Sequence, residues 1–180
     1  DQSVSFAARL MEQDVQVRIV DKDISLSGKK LSRGSPVVIA MDNPKNSKLV
    51  ELIKNTAKNL NVSVSSLYTG FGTEELPDWG GRHFRLLNKP QIAILSHEGF
   101  SSYDVGVSWW SLDHHLGIRH SQLNTSMLGY ADLRRYNTLI MPSGYRSLDQ
   151  AEMSVLKEWV KQGGTLIANN GSTRMLISDN

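Results

Sequence analysis

One segment near the carboxyl end restricts the fold more than any other part of the chain. Residues 133–173 read as strand, loop, helix, Gly-Gly turn and second strand. The first strand is the apolar run 137–141, closed by Pro142-Ser143-Gly144, and the second strand is 165–168. Two strands joined through a helix are parallel, with a right-handed crossover. The segment therefore predicts a parallel α/β sheet.

The helix inside this segment has start and stop signals. Ser147 and Gln150 have the spacing of a capping box, so the Ser147 hydroxyl is expected to cap the helix. Gly163-Gly164 supply the left-handed residue that ends it. An apolar stripe is expected to face the sheet, formed by Ala151, Val155, Leu156, Trp159 and Val160.

The rest of the chain alternates between strand and helix patterns. The predicted strands are 15–20, 37–41, 62–64 and 91–95, with a hairpin over 24–31 that turns at Ser27-Gly28. The predicted helices are 3–13, 47–60 and about 103–116, followed by the first turns of another over 173–180. In the third helix the expected core residues are Val105, Trp109, Leu112 and Leu116, while Trp110 either packs under a loop or is an exposed contact.

A glycine-rich segment divides the chain. Residues 70–85 carry four glycines and one proline, and a loop this long is either functional or a linker. We interpret it as a linker or cover loop. The sequence thus predicts an N-terminal α/β segment over 1–85, with a small hairpin and the long loop, and an α/β domain over 86–180 that is cut off at its carboxyl end.

Composition excludes several functions. The chain has 180 residues, of which 39% are hydrophobic and 21% charged, as in globular α/β proteins. The net charge of +2 comes without a basic stripe, so no nucleic-acid partner is expected. The longest apolar run, 37–41, is too short for a membrane span. The lack of cysteine removes thiolate nucleophiles and cysteine-ligated zinc. Asp1 opens without an initiator Met or a signal peptide, which suggests a processed or excised product.

Three loops follow the carboxyl ends of predicted strands, where open parallel sheets bind ligands. They are 96–102, 142–147 and 169–173. If the strands are neighbours, the loops meet at one crevice, which is the candidate binding site. Its residues are His97, Glu98, Ser143, Gly144, Tyr145, Asn170, Gly171 and Ser172.

None of these residues completes a known catalytic pattern. His97-Glu98 has neither HExxH nor HxxE spacing, so no metal site is predicted. His114 and His115 point about 100° apart on a helix, which favours a solvated helix end. Ser172 lies where a nucleophile elbow would lie, but G-x-S-x-G is absent and a helix-capping serine is favoured. No catalytic residue is therefore assigned.

Three segments carry a family resemblance: KPQIAILSHEGFSSYDVGVSWWSLD, DLRRYNTLIMPSGY and LKEWVKQGGTLIANNGSTRML. They resemble the glutamine-amidotransferase-like (flavodoxin-like) domain, in the version that follows the catalytic domain in bacterial zinc carboxypeptidase-like proteins. The upstream segments GKKLSRGSPVVIA and LVELIKNTAKNLNVSV resemble the connection between the two domains there. The resemblance covers most of the chain. It implies a mostly parallel, doubly wound sheet in a three-layer α/β sandwich.

The resemblance also implies a function for the parent protein. The amidotransferase nucleophile is a cysteine after the GGTLIA-type strand, and here that position holds Asn169-Asn170-Gly171-Ser172, so glutaminase activity is not expected. The chain would be a non-catalytic accessory domain that packs on or modulates the catalytic domain of a metallocarboxypeptidase. Zinc would belong to that catalytic domain, and this chain would hold no cofactor. A secreted or periplasmic location is favoured.

Two alternatives remain open at the sequence level. The first is a domain that binds a small molecule, such as a sugar or an amino acid, in the crevice around His97, Ser143 and Ser172. The second is a serine-dependent hydrolase with Ser172 as its nucleophile.

Overall fold

A computed structural model describes residues 2–26, 28–68, 70, 78–145 and 147–178. The chain divides into two compact units, Asp1–Lys89 and Pro90–Asn180. The sequence placed the division after residue 85, but Phe84–Leu86 is a strand that pairs within the first unit. Residues 71–77 of the predicted linker lie outside the described residues. Within the described ranges, no helix has the length and apolar character to cross a membrane.

Among its described residues, the first unit contains two α-helices, one 3-10 helix, a three-stranded antiparallel sheet in the order β4-β1-β5, and a separate antiparallel hairpin of β2 and β3. The hairpin confirms the prediction over 24–31, although Ser27 of its turn lies outside the described residues. The elements are α1 (Gln2–Glu12), β1 (Arg18–Val20), β2 (Ile24–Leu26), β3 (Lys29–Leu31), β4 (Pro36–Val37), a 3-10 helix (Ala40–Asp42), α2 (Leu49–Leu60) and β5 (Phe84–Leu86).

Burial of two helix faces holds the first unit together. Phe6 and Leu10 of α1 pack against Ala57 of α2 in one apolar cluster. The α2 helix ends at Leu60, as predicted, and the C-cap residue Asn61 adopts the left-handed conformation (φ 52°). Arg18 of β1 forms two charge-assisted hydrogen bonds to Asp42, at 2.6 and 2.9 Å. This bidentate pair fixes the 3-10 helix beside the sheet.

Two strand predictions in the first unit are wrong. The run 37–41 is a strand only at Pro36–Val37, and then turns into the 3-10 helix, where Met41 is 89% exposed. Residues 62–64 form no strand, and Val64 is largely exposed. A short apolar run becomes a strand only where a neighbouring strand can accept its backbone hydrogen bonds. The first run pairs with β1 only at Val37, and residues 62–64 pair with no described strand.

The second unit is a four-stranded parallel sheet in the order β7-β6-β8-β9, with helices in its connections. This confirms an α/β fold. The elements are β6 (Ile92–Ser96), α3 (Ser102–Trp110), a π-helical segment (Ser111–Leu116), β7 (His120–Asn124), 3-10 helices (Thr125–Met127 and Leu133–Arg135), β8 (Thr138–Met141), α4 (Gln150–Lys161), β9 (Thr165–Ala168) and α5 (Gly171–Ser178).

The core of the second unit lies where α4 covers one face of the sheet. Every residue of the central strand β6 is buried. Leu139 and Met141 of β8 share an apolar cluster with Leu156 and Trp159 of α4. The indole N–H of Trp159 also donates a hydrogen bond to the Leu133 carbonyl, at 3.0 Å. The predicted strand–helix–strand unit is therefore present.

The predicted start of α4 is wrong. The N-cap is Asp149 rather than Ser147, because Asp149 and Glu152 form a complete capping box. Each side chain accepts a hydrogen bond from the backbone N–H of the other residue, at 2.7 and 2.8 Å. The predicted core stripe is correct in part: Ala151 and Val160 are exposed, and the buried residues are Glu152, Met153, Leu156 and Trp159. The Gly-Gly turn is confirmed, with Gly163 at φ 100°.

The third predicted helix is present, but its core face differs. Val105 and Leu112 face inwards as predicted, whereas Trp109 is 42% exposed. The helix changes to π-helical geometry at Ser111, which shifts the side chains that follow. Gly117 ends it in the left-handed conformation. The edge strand β7 was not predicted, because its sequence HSQLN has no apolar alternation.

Candidate functional site

The three candidate loops meet at one edge of the sheet. Strands β6, β8 and β9 are adjacent and parallel, so their carboxyl ends lie side by side. We call residues 97–101, 142–145 and 169–172 the rim loops. From β6 the chain continues to its neighbour β7 on one side, and from β8 to β9 on the other side. The order of the strands therefore reverses between β6 and β8, which is where open α/β sheets bind ligands.

Backbone hydrogen bonds join the first two rim loops. The Ser101 N–H donates to the Ser143 carbonyl at 2.8 Å, and the Tyr145 N–H donates to the Gly99 carbonyl at 2.9 Å. Between these bonds, Phe100 and Gly144 form an antiparallel bridge. The loops after β6 and β8 thus behave as a short ladder rather than as two independent loops.

The third rim loop packs directly on the second. A Cβ atom added to Gly171 would lie 2.2 Å from the Gly144 carbonyl oxygen, and one added to Gly144 would lie 2.8 Å from Met175 Sδ. Only glycine allows backbones to approach this closely. The sequence placed both glycines in a binding site. The structure shows Gly171 against the backbone of the second rim loop, and Gly144 against the side chains of Met175 and Ser172.

Ser172 is an anchor between two loops. It is completely buried, and its hydroxyl donates a hydrogen bond to the Pro142 carbonyl. The described hydrogen bonds include none between this hydroxyl and a histidine or a carboxylate. A serine nucleophile needs an adjacent base and access to substrate. This geometry gives Ser172 a packing role and lends the hydrolase alternative no support.

His97 and Glu98 are exposed at the start of the rim. His97 adopts a left-handed backbone conformation, with φ 72°. The Ser96 hydroxyl lies 2.7 Å from His97 Nδ1 and 3.3 Å from the Leu123 carbonyl. A hydroxyl has one hydrogen, so whenever it donates to Leu123, Nδ1 of His97 must carry the proton. The buried Ser96 hydroxyl therefore orients the imidazole through Nδ1, while His97 itself is exposed to solvent.

The first rim loop is also held by a residue that sequence reasoning missed. Thr125 is buried just after β7, and its hydroxyl donates to the Glu98 carbonyl at 3.0 Å. Because β7 itself was not recognised, nothing in the sequence marked Thr125 as lying beside this loop.

The rim gathers the predicted residues in two groups. Five of them belong to the interlocked part of the rim: Ser143, Gly144, Tyr145, Gly171 and Ser172. His97, Glu98 and Asn170 are exposed, and no described hydrogen bond joins the side chains of His97 or Glu98 to the loops after β8 or β9. The side chain of Tyr145 is 78% exposed. A binding role for these residues stays a prediction.

No metal centre is formed within the described part of the chain. There, no three His, Asp or Glu side chains lie close enough together to hold an ion. His114 instead stacks on Trp110, with ring centroids 4.9 Å apart.

The first unit has an open surface cavity of about 530 Å³ beside the start of α2. Asn43 on its wall is buried, and its carboxamide is committed to backbone: it accepts from the Gln16 N–H and donates to the carbonyls of Gln16 and Ile39. Asp42 is likewise paired with Arg18. These two polar side chains on the cavity wall therefore support the fold of the unit.

Searches among protein-family models, curated proteins and solved structures found no match to this chain. Function must therefore be inferred from the site and from the sequence resemblance.

Proposed function

We propose that this chain is a non-catalytic accessory unit of a zinc metallocarboxypeptidase-like protein, where it packs on or modulates the catalytic domain. The observation that supports a non-catalytic role is the burial of Ser172 and the hydrogen bond of its hydroxyl. It occupies the neighbourhood in which the amidotransferase-like family has its cysteine, yet it is buried and bonded to the Pro142 carbonyl. The parent's identity rests on the sequence resemblance alone.

The flavodoxin-like arrangement is part of this proposal. The sheet order β7-β6-β8-β9 corresponds to second, first, third and fourth strands, the order in which a flavodoxin-like sheet begins. The connections through α3 and α4 run in opposite directions along the sheet. With right-handed crossovers, these helices would cover opposite faces.

Two assays test the non-catalytic role. Elemental analysis of the purified chain is expected to find no stoichiometric zinc, and a blocked dipeptide is expected to remain uncleaved. Zinc at one equivalent together with hydrolysis would refute the proposal. A fluorophosphonate probe is expected to leave Ser172 unlabelled, because its hydroxyl is buried.

The identity of the parent is tested by the coding sequence upstream of Asp1. An HxxE motif followed by a distant histidine is expected there. In the full protein, removal of this unit is expected to change the stability or the kcat/KM of the peptidase without removing its zinc. A parent that lacks the motif would overturn this part of the proposal and leave the non-catalytic role standing.

A second candidate function is the binding of a small polar molecule at the rim. The observation that favours it is the position of His97 and Tyr145, whose exposed side chains follow β6 and β8 at the strand reversal. Titration with free amino acids and simple sugars, followed by amide chemical shifts, tests it. Saturable shifts at rim residues that disappear in His97→Ala would support binding, and unchanged rim shifts would exclude those ligand classes.

A further inference from the structure

An apolar stripe lies on the surface of α3 and the π-helical segment. Tyr103, Val107, Trp110 and His114 follow one another at steps of four, three and four residues, the spacing of one helix face. The exposed fractions of the first three are 87%, 66% and 51%, and His114 is exposed as well. We call these four residues the outer stripe.

The second unit does not use the outer stripe in its own core. The opposite side of the same helix faces inwards through Val105 and Leu112, and α3 itself contains no buried residue. Two of the outer residues are in direct contact, since the rings of Trp110 and His114 stack at 4.9 Å. A contiguous exposed patch of aromatic and aliphatic side chains marks an interaction surface, whereas isolated exposed apolar residues do not.

Gly106 is a second, independent sign of contact with another chain. Glycine inside a helix is unfavourable relative to alanine. A Cβ atom added to Gly106 would meet nothing within 4 Å, so no contact inside this chain requires glycine there. Gly106 lies three residues after Tyr103 and four before Trp110, so it flanks the outer stripe on the helix surface. A missing side chain at this position lets another helix approach more closely.

We propose that the outer stripe is a homodimer interface in which α3 of two copies packs antiparallel about a two-fold axis. The 4-3-4 spacing is the same when read from either end of the helix. An antiparallel copy therefore places Tyr103 opposite His114 and Val107 opposite Trp110. The two-fold axis generates each of these contacts twice in the dimer. This proposal goes beyond the accessory function and does not depend on it.

Charge complementarity favours a second copy in this orientation. Asp104 lies in the first turn of α3, and His114 lies in the last turn of the π-helical segment. Antiparallel packing brings Asp104 of each copy beside His114 of the other, where the imidazole can donate a hydrogen bond to the carboxylate. Asp113 falls beside Gly106 of the other copy, so carboxylates do not face each other. Antiparallel helix dipoles are also favourable.

The available area predicts a weak dimer. A fully exposed aromatic side chain offers roughly 150–250 Å², so Tyr103, Val107 and Trp110 at their exposures give about 400 Å² per copy. The pair would bury about 800 Å², below the size of standard specific interfaces. We therefore expect a dissociation constant above about 1 μM.

Sedimentation equilibrium of the whole chain, from about 10 μM to about 1 mM, tests the proposal. The wild type is expected to shift from monomer to dimer. Val107→Glu brings two carboxylates close to the axis and is expected to weaken association at least tenfold. The matched control is Val50→Glu, the same change at a valine that is 63% exposed on α2 of the other unit. It should associate like the wild type.

A second variant tests whether the loss of the dimer in Val107→Glu results from misfolding. Gly106→Gln fills the space beside Tyr103 and Trp110 and favours helix, so it should retain helical circular dichroism and lose the dimer. A wild type that stays monomeric at about 1 mM would overturn the proposal. Association of Val107→Glu and Gly106→Gln at wild-type strength would overturn it as well.

Charge reversal tests the antiparallel register. Asp104→Lys places an ammonium beside His114 of the other copy, and His114→Glu places a carboxylate beside Asp104. Each variant alone is expected to associate several-fold more weakly than the wild type. An equimolar mixture should recover association, because the heterodimer pairs Lys with Glu and retains the native pair. A mixture no tighter than either variant alone would refute this register.

Discussion

Replacing Gly171 with alanine would push a methyl group into the backbone of the neighbouring rim loop. The added carbon would lie 2.2 Å from the Gly144 carbonyl oxygen and 3.2 Å from Ser143 Oγ. Carbon–oxygen contacts need about 3.3 Å, so the two backbones would have to separate by about 1 Å. The carbonyl cannot rotate away, because Gly144 is held between two loop-to-loop hydrogen bonds.

The expected cost follows from these contacts. Overpacking of this kind costs about 1–3 kcal/mol, while alanine returns up to about 1 kcal/mol over glycine in a helical turn. The net loss is about 1–2 kcal/mol. In a domain of the size of Pro90–Asn180, each kcal/mol corresponds to about 4–8 °C. Gly171→Ala should therefore lower the Tm of this unit by about 4–16 °C.

Thermal unfolding measures this loss of stability. Hydrogen exchange of individual amides then shows which of the two units has lost it. The amides of Ser101 and Tyr145, which hold the loops together, should exchange faster in Gly171→Ala. The matched control is Gly106→Ala, the same change at a helical glycine with nothing within 4 Å. It should leave Tm unchanged or raise it. A Gly171→Ala chain that melts at or above the wild-type temperature would refute the close-packed rim.

Three further perturbations have defined outcomes. Asp149→Ala removes the N-cap of α4 and should cost about 0.5–2 kcal/mol in urea unfolding. Ser172→Ala leaves the Pro142 carbonyl without its hydrogen bond and should lower the free energy of unfolding by about 1–3 kcal/mol. It should not change labelling by the fluorophosphonate probe. Hydrogen bonds from Arg18 lower the pKa of the Asp42 carboxyl. The stability advantage of the wild type over Asp42→Asn, about 1 kcal/mol, should therefore be complete above about pH 4 and be lost as the pH falls through the lowered pKa.

Sequence reasoning succeeded where local signals and tertiary structure agree. In the unit of β8, α4 and β9, an apolar run, a capping residue and a Gly-Gly turn all indicated the same elements. Even there, the N-cap is Asp149 rather than the predicted Ser147, because Glu152 returns the hydrogen bond. The meeting of the rim loops at one edge of the sheet was likewise predictable in outline, since it follows from the adjacency of parallel strands.

Features that depend on partners far apart in sequence were not predictable. Strand β7 is polar and pairs only through its backbone with β6, so side-chain periodicity does not reveal it. Trp109 fitted a core stripe, but α3 contains no buried residue, and Trp109 is 42% exposed. The burial of Ser172 depends on Pro142, thirty residues away in the chain.

Glycine illustrates why residue type alone misleads about function. Gly144 and Gly171 follow strand ends, where a missing side chain usually leaves room for a ligand, but here a neighbouring backbone fills that room. Gly106 lies in the middle of a helix, where glycine has a cost and no evident use, and the space around it is empty. Contacts within the chain thus account for the two glycines that suggest a site. Gly106, a helical glycine that no contact inside the chain requires, lies beside the outer stripe, on the surface that we assign to a second copy.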